Sequence, residues 1–456
     1  MGKRTVLFIC HNHPSVRPGG AESYALELHR DLRNSDQFEP IFLAKGGPPL
    51  SHAGRPHLGT YTSLVGGPPD EYFFYMDGYG YDWIFGTIPH DKELYTKHLR
   101  SFLLAVQPDV VHLQHTMFFG YDVLREIRNT LPSAAIVYTL HDFMPICHRH
   151  GQMLRTTDEQ PCLEESARRC HECFPEISPQ TFFLRKRFVQ SHFRLVDLFL
   201  APSEFLRQRY VDWGIPPERI RTEEYGRTLA PPVAETEARE VRNHFAFFGQ
   251  LTPFKGVQVL LEAIALLLGT DFGQEDLLIR ALELAAVSSA GVAGPTATRP
   301  EVRIHGANLD LQRGQFQNRV RELLEQTQEV VTLVGPYDHA QLPQLMADVD
   351  WVIVPSLWWE NSPLVIQEAF HYGRPVICSD IGGMAEKVRD GVNGLHFKAG
   401  DSASLARTME GAVEAPGLWE RLRSGIEPVY SMSDHVAALG NIYEGLLGQK
   451  EVAHAG

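Results

Sequence analysis

Ser356–Glu386 reads SLWWENSPLVIQEAFHYGRPVICSDIGGMAE. The apolar run Trp351–Pro355 leads into it and predicts a strand buried on both faces. Glu360 falls in the loop after that strand, and Glu368 follows with seven residues between them. Ser362 and Pro363 read as the N-cap and first position of a helix, since a serine hydroxyl satisfies an early N–H and a proline has none to lose. Glu368 then sits about a turn and a half into the helix. First-turn N–H groups point back at the strand end, which suits an anion. A second strand, Pro375–Ser379, and a glycine-bearing loop, Ser379–Gly383, close the stretch. This is the unit of an open α/β sheet, which binds ligands at the carboxyl ends of its strands.

Working outward, the same alternation of short apolar runs and helix-period segments fills the chain. Strands are expected at Thr5–Cys10, Pro40–Ala44, Asp109–Leu113, Ala135–Leu140 and Leu198–Ala201. A second series is expected at Phe245–Phe248, Val302–His305, Val330–Val334, Trp351–Pro355 and Pro375–Ser379. Between the two series, Ala230–Arg239 (APPVAETEAR) reads as a linker on its proline and charge content. The division is therefore into an α/β domain at 1–232, a second at 233–432, and a last helix and tail at 433–456. Gly269–Pro300 reads as an insertion with a flexible tip, and Gly46–Pro108 carries GGPP twice before an aromatic cluster. That cluster runs Tyr72, Phe73, Phe74, Tyr75, Tyr79, Tyr81, Trp83 and Phe85. Packing is the ordinary use of such a stretch, and stacking on sugar rings is the alternative.

Composition narrows the class. The chain has 456 residues, 43% hydrophobic and 21% charged, which excludes a disordered, collagen-like or coiled-coil protein. Its net charge of −14 makes it a poor nonspecific nucleic-acid binder. No apolar run approaches the ~18 residues of a membrane span, and Thr5–Cys10 is too short for a signal peptide. A cytoplasmic location is the expectation. Phe182–Arg194 (FFLRKRFVQSHFR) is basic and amphipathic, so peripheral contact with an anionic inner membrane face is one expectation. A helix packed on its own domain is the other.

Three further motifs sit at expected strand ends. Phe247–Ala263 (FFGQLTPFKGVQVLLEA) runs from a strand through Gly249 and Gln250 to Lys255 at a helix start. An ammonium beside helix N–H groups suits a pyrophosphate. His11–Ser23 (HNHPSVRPGGAES) places Gly19 and Gly20 before the first long helix, where glycine lets a ligand approach the backbone. Tyr138–Phe143 (YTLHDF) ends a strand in His141 and Asp142. His112 and His115 also lie at a strand end and read as structural.

Taken together, these motifs resemble the family 4 retaining glycosyltransferases of the GT-B fold, also called glycosyl transferases group 1. Their hallmark is the glutamate pair of the Glu360–Glu368 kind. The resemblance covers nearly the whole chain and is strongest from Phe247 to Glu386. It implies two Rossmann-like domains facing each other across a cleft, with the C-terminal helix crossing back. It assigns Glu368 to the donor ribose, Glu360 to the donor sugar, and backbone N–H groups around Ser362, Leu364 and Val365 to the diphosphate. Lys255 would stabilise the leaving diphosphate, and His141 would reach the donor sugar. Gly19 and Gly20, with Gly249 and Gln250, complete the donor contacts. Family members commonly carry arginine where Gln250 stands, so one positive charge is missing, and Arg227 is the candidate replacement.

The function implied is transfer of a sugar, most readily a hexose, from a nucleotide-diphosphate sugar to an acceptor hydroxyl. The acceptor would be a glycan or lipid-linked molecule in bacterial polysaccharide or glycoconjugate synthesis. The resemblance also implies chemistry with no metal cofactor. Two alternatives stay open, another GT-B enzyme such as an epimerase or phosphorylase, and a catalytically silent sugar-nucleotide binder. An NAD-dependent enzyme is disfavoured by the missing GxGxxG. Cys147, Cys162, Cys170 and Cys173 lie within 27 positions and end in a CxxC pair. They suggest a structural tetrahedral zinc site, with free thiols or one disulfide as alternatives.

Overall fold

The computed structural model describes residues 2–16, 19–46, 61–63, 68–75, 82–87, 94–233, 239–269, 299–312 and 314–455. The chain forms two compact units, residues 1–228 with 430–456, and residues 229–429.

The first unit carries β1 (Arg4–Cys10), β2 (Phe38–Gly46), β3 (Tyr61–Ser63), β4 (Glu71–Tyr75), β5 (Val110–Leu113), β6 (Ala135–Thr139), β7 (Leu198–Ala201) and β8 (Ile220–Thr222). Their order in the sheet is β3-β4-β2-β1-β5-β6-β7-β8. Every pairing is parallel except that of β3 with β4. The inner strands are apolar runs because helices cover both faces; Val6–Cys10 and Val110–Val111 are fully buried. Strand order reverses between β1 and β5, so the loops after those strands diverge and leave a crevice at their carboxyl ends.

The second unit carries β9 (His244–Phe248), β10 (Glu301–His305), β11 (Val331–Gly335), β12 (Trp351–Val354), β13 (Val376–Ser379) and β14 (Gly394–Phe397). The order β11-β10-β9-β12-β13-β14 is that of a doubly wound sheet, and its switch point lies between β9 and β12. One face packs Val257, Leu260, Leu261 and Ile264 of the Val257–Leu267 helix with Leu405, Ala406 and Met409. The other packs Val352 and Val354 with Ile366 and Ala369 of the Leu364–His371 helix.

Several expectations change. The chain divides after Thr228 rather than after 232, because the Ala230 carbonyl already accepts hydrogen bonds from His371 and Tyr372 of the second unit. The last segment joins the first unit from Tyr430 onward. Its helix, Met432–Ala455, sets Tyr443 edge-on against Phe38 at 5.7 Å and pairs Lys450 with Asp197 at 3.1 Å. Part of the aromatic cluster is strand. Phe73 of β4 is buried, and Tyr72 packs edge-on against Phe102. Phe85 packs on Phe188, whereas Trp83 is 43% exposed. The side chains of Phe74 and Tyr75, and residues Tyr79 and Tyr81, lie outside the described residues, as do 270–298 of the expected insertion and 234–238 of the linker. The Pro179–Phe193 helix buries Phe182, Arg185, Val189, His192 and Phe193 in its own unit. The edge strands β3, β8 and β14, and β4 beside β3, are short and carry no clear signal in the sequence.

Asp350 holds the base of the second sheet. It is fully buried, accepts from the His244 backbone N–H at 3.1 Å, and faces Arg242 at 3.2 Å and Arg239 at 3.4 Å. Removing one side of a buried ion pair leaves uncompensated charge. Asp350→Ala is therefore expected to destabilise the second unit by about 3–5 kcal/mol, read from urea unfolding. A loss below about 1 kcal/mol would contradict this reading.

Candidate active site

The second unit builds its candidate site at the switch point, from the loops after β9 and β12. Glu360 is only 8% exposed, yet one of its oxygens, Oε1, accepts three hydrogen bonds. These come from Lys255 Nζ at 2.6 Å, the Ser356 hydroxyl at 2.8 Å and the Trp358 indole N–H at 3.0 Å. A carboxylate oxygen held by three donors is fixed in direction. Backbone fit makes the approach of the two loops close. Gly256 lies at φ 72°, and a Cβ there would come within 1.8 Å of the Pro355 carbonyl oxygen. The Leu357 N–H donates to the Phe254 carbonyl at 2.8 Å, tying one loop to the other. On the opposite side, Gly383 donates to the Glu360 carbonyl at 2.7 Å, and a Cβ there would meet Asn361 O at 2.0 Å.

The helix after this loop runs Leu364–His371, with Pro363 rather than Ser362 at the N-cap. Ser362 is thus not the capping residue; its hydroxyl is buried without a hydrogen-bond partner among the described residues. Leu364 and Val365 occupy the first turn, whose N–H groups have no intrahelical acceptor. Glu368 lies on the same helix, 4% exposed, with His339 Nε2 at 3.9 Å. Gly249 gives its N–H to the His305 carbonyl at 3.0 Å, so that donor is already used, and Gln250 is exposed. Arg227, the candidate replacement, belongs to the first unit, is 5% exposed and lies 3.4 Å from Glu27.

The first unit gathers a second polar cluster at the carboxyl ends of β1, β5 and β6. His11 Nε2 lies 3.0 Å from Glu22, and His115 Nε2 lies 3.0 Å from Asp142. The Met117 N–H donates to His115 Nδ1 at 2.7 Å, so Nε2 carries the hydrogen that goes to Asp142. Burial pushes the Asp142 carboxyl up, but His115 outweighs it and holds the group below its usual range. For His11 burial wins, and its pKa falls despite Glu22. His141 is pushed down to about 3, mainly by burial and then by His115, so it is a neutral ring at ordinary pH. Its Nε2 meets Gln114 Oε1 at 2.9 Å and its Nδ1 the Tyr225 hydroxyl at 2.6 Å. Gly19 is extended, at φ −157°, and caps the Gly20–Leu32 helix. A Cβ there would come within 2.4 Å of Glu22 Oε2, so glycine is what lets Glu22 fold back. Gly20 is exposed at the helix start.

Ser356, Trp358, Glu22 and Tyr225 escaped the sequence reading. Only Glu22, in the third position of a helix behind a Gly-Gly pair, left a recognisable signal. Among the described residues no three His, Cys, Asp or Glu side chains are placed to hold a metal ion. Cys147, Cys162, Cys170 and Cys173 form no disulfide, and the thiols of Cys147, Cys162 and Cys170 are each raised first by burial and further by neighbouring cysteines of the four. His112 is structural, with its two nitrogens on Tyr443 and Thr139.

With this geometry in hand, comparison with known proteins is decisive. The family described as Glycosyltransferase Family 4 matches residues 18–222, and that described as Glycosyl transferases group 1 matches 242–414. The chain belongs to glycosyltransferase family 4. A curated relative, the D-inositol 3-phosphate glycosyltransferase of Nocardia farcinica, is 33% identical over 162 residues, 35% of this chain and 30% of that relative. The chain thus matches about a third of that relative's length. Among solved structures, the sucrose-phosphate synthase of Thermosynechococcus elongatus superposes with a TM-score of 0.66 at 15% identity, covering 98% of this chain and 100% of that one. Anabaena HepE in complex with UDP gives 0.62 at 18%, covering 97% and 100%. These likenesses show the fold of this family 4 member, GT-B.

Two outcomes test the geometry. Gly256→Ala is expected to cost more than the ~1–2 kcal/mol of a left-handed alanine, because backbone blocks its Cβ; an unchanged unfolding midpoint would refute that contact. The second concerns pH. His141 at about 3 and His305 at about 4, both lowered first by burial, bind fewer protons folded than unfolded. Their stabilising effect is complete above the ordinary histidine value, ~6.5, and is lost as pH falls from there toward 4. Thermal unfolding at pH 7.5 and pH 5 should therefore show a lower midpoint at pH 5.

Proposed function

We propose that this protein transfers a sugar from a nucleotide-diphosphate sugar to an acceptor hydroxyl, with retention of anomeric configuration. The observation that carries the proposal is the fixed Lys255–Glu360 pair, 2.6 Å apart at the switch point of the second sheet, with Glu368 buried one helix start away. Of the three hydrogens on the Lys255 ammonium, one faces Glu360. The others can meet the charge that grows on a diphosphate as the glycosidic bond breaks. N–H groups at Leu364 and Val365 add to that stabilisation. Glu360 orients a donor-sugar hydroxyl, and Glu368 accepts from the ribose hydroxyls. His141, neutral at ordinary pH, acts as a hydrogen-bonding contact to the sugar by exchanging Gln114 Oε1 for a sugar oxygen at its Nε2, rather than as an acid.

The proton of the acceptor hydroxyl goes to an oxygen of the departing diphosphate, on the face where the new bond forms. No side chain is assigned as general base. Anabaena HepE has been solved with UDP-glucose, which makes UDP-hexoses the first donors to try. The acceptor is a glycan or lipid-linked hydroxyl in polysaccharide or glycoconjugate synthesis. Phe183 and Leu184, 53% and 56% exposed beside Arg187, support contact of the Pro179–Phe193 helix with an anionic membrane surface.

The test is a screen of nucleotide sugars for binding and for acceptor-dependent release of the nucleoside diphosphate. Lys255→Ala should lower kcat by about 100-fold or more, the scale of losing one charge-stabilising donor, with a smaller change in donor binding. Glu368→Ala should instead raise the donor KM by roughly 10-fold or more, as expected for hydrogen bonds to a charged group. Full activity in either variant would remove that residue from the mechanism, and no binding of any nucleotide sugar would end the proposal.

A further inference from the structure

We infer that Tyr24, Tyr225 and His435 are positioning residues for His141, so that the C-terminal helix helps set the ring at the end of β6. The inference rests on the reading of His141 as a sugar contact.

The chain of contacts begins on the last helix. His435 is fully buried, and its Nδ1 lies 2.8 Å from Glu223 Oε1. A carboxylate only accepts, so Nδ1 carries a hydrogen. The Tyr24 hydroxyl is 2.7 Å from Nε2, a hydrogen bond that ties Tyr24 to the last helix. Glu223 is itself held by the Tyr430 hydroxyl at 3.0 Å. Tyr24 is 2% exposed, and its ring packs 4.4 Å from that of Tyr225 and 5.7 Å, edge-on, from His141.

Tyr225 completes the path. Its ring stacks on the imidazole at 5.4 Å and 25°, and its hydroxyl lies 2.6 Å from His141 Nδ1. With Gln114 Oε1 facing Nε2 at 2.9 Å, the His141 hydrogen resides on Nε2, and Nδ1 accepts from Tyr225. Gln114 and Tyr225 together thus fix the tautomer, and Tyr24 backs the Tyr225 ring. A second anchor runs in parallel. Tyr443 of the same helix meets His112 Nδ1 at 2.7 Å, and His112 Nε2 meets Thr139 Oγ1 at 2.7 Å, two positions before His141. A buried hydroxyl stripped of its partner pays its desolvation in full, so loss of His435 would displace the Tyr24 ring. A misplacement of about 1 Å at a reacting centre is enough to cost up to about 100-fold in rate.

The experiment uses the full chain with Tyr24→Phe, Tyr225→Phe, His435→Phe and the conservative His435→Gln. Histidine side-chain nitrogen–proton NMR, assigned with a His141→Asn control, reads the His141 tautomer directly. Calorimetry with UDP reads binding, and turnover with the donor found in the screen reads chemistry. A single Nε2–H form is expected in the unaltered protein, and a tautomer mixture in Tyr225→Phe. Turnover should fall by about 10-fold or more in Tyr24→Phe and His435→Phe, with UDP affinity unchanged and partial recovery in His435→Gln. Tyr24→Phe and Tyr225→Phe remove only a hydroxyl and keep the packing. A single unchanged tautomer in Tyr225→Phe would overturn the inference, as would unaltered turnover in both Tyr24→Phe and His435→Phe. Should no donor support transfer, the reading of function fails, while the tautomer measurement still decides the role of Tyr225.

Discussion

One carboxylate oxygen organises the second unit. Glu360 Oε1 takes hydrogen bonds from a lysine, a serine and a tryptophan, and these arrive from the loops after two adjacent strands. A buried anion is tolerated only when it is paired and hydrogen-bonded, so the loops must stay in register for Glu360 to remain where it is. The glycines serve this constraint. Gly256 and Gly383 stand where a Cβ would strike the Pro355 and Asn361 carbonyl oxygens, and the close approach they allow brings lysine and glutamate to 2.6 Å.

The first unit handles charge differently. Its carboxylates at the sheet end, Glu22 and Asp142, are each matched to an imidazole rather than to a lysine or arginine. Imidazoles can be neutral, so the cluster keeps oriented donors and acceptors without needing a fixed positive charge. His141 has both nitrogens engaged and is held by groups from four distant parts of the chain: Gln114, Tyr225 and, behind it, Tyr24 with His435. The first part of that arrangement uses the β1–β5 switch of strand order; the second uses the return of the C-terminal helix to the first unit.

Much of this was readable in one dimension. The long inner strands stood out because burial on both faces demands uninterrupted apolar runs, as in Thr5–Cys10 and Trp351–Val354. Glu360, Glu368 and Lys255 were found because a strand–loop–helix pattern places its loop at a sheet edge whatever the surroundings. Short edge strands such as Ile220–Thr222 lack such a pattern, since one side of them faces no neighbour. Ser362 was misassigned because a Ser-Pro pair is compatible with a cap one residue either way, and the backbone chose Pro363.

What the sequence determined by itself is the class of fold, the two sheets and the residues of the Lys255–Glu360–Glu368 set, for these follow from local periodicity and from loops that must lie at strand ends. Only the tertiary structure decided which partners hold Glu360, that Arg227 lies against Glu27, and that His435 backs Tyr24 behind His141. Each of those depends on groups far apart in the chain meeting within a few ångströms. Local propensity carries no term for such meetings; packing and the need to satisfy every buried polar group settle them.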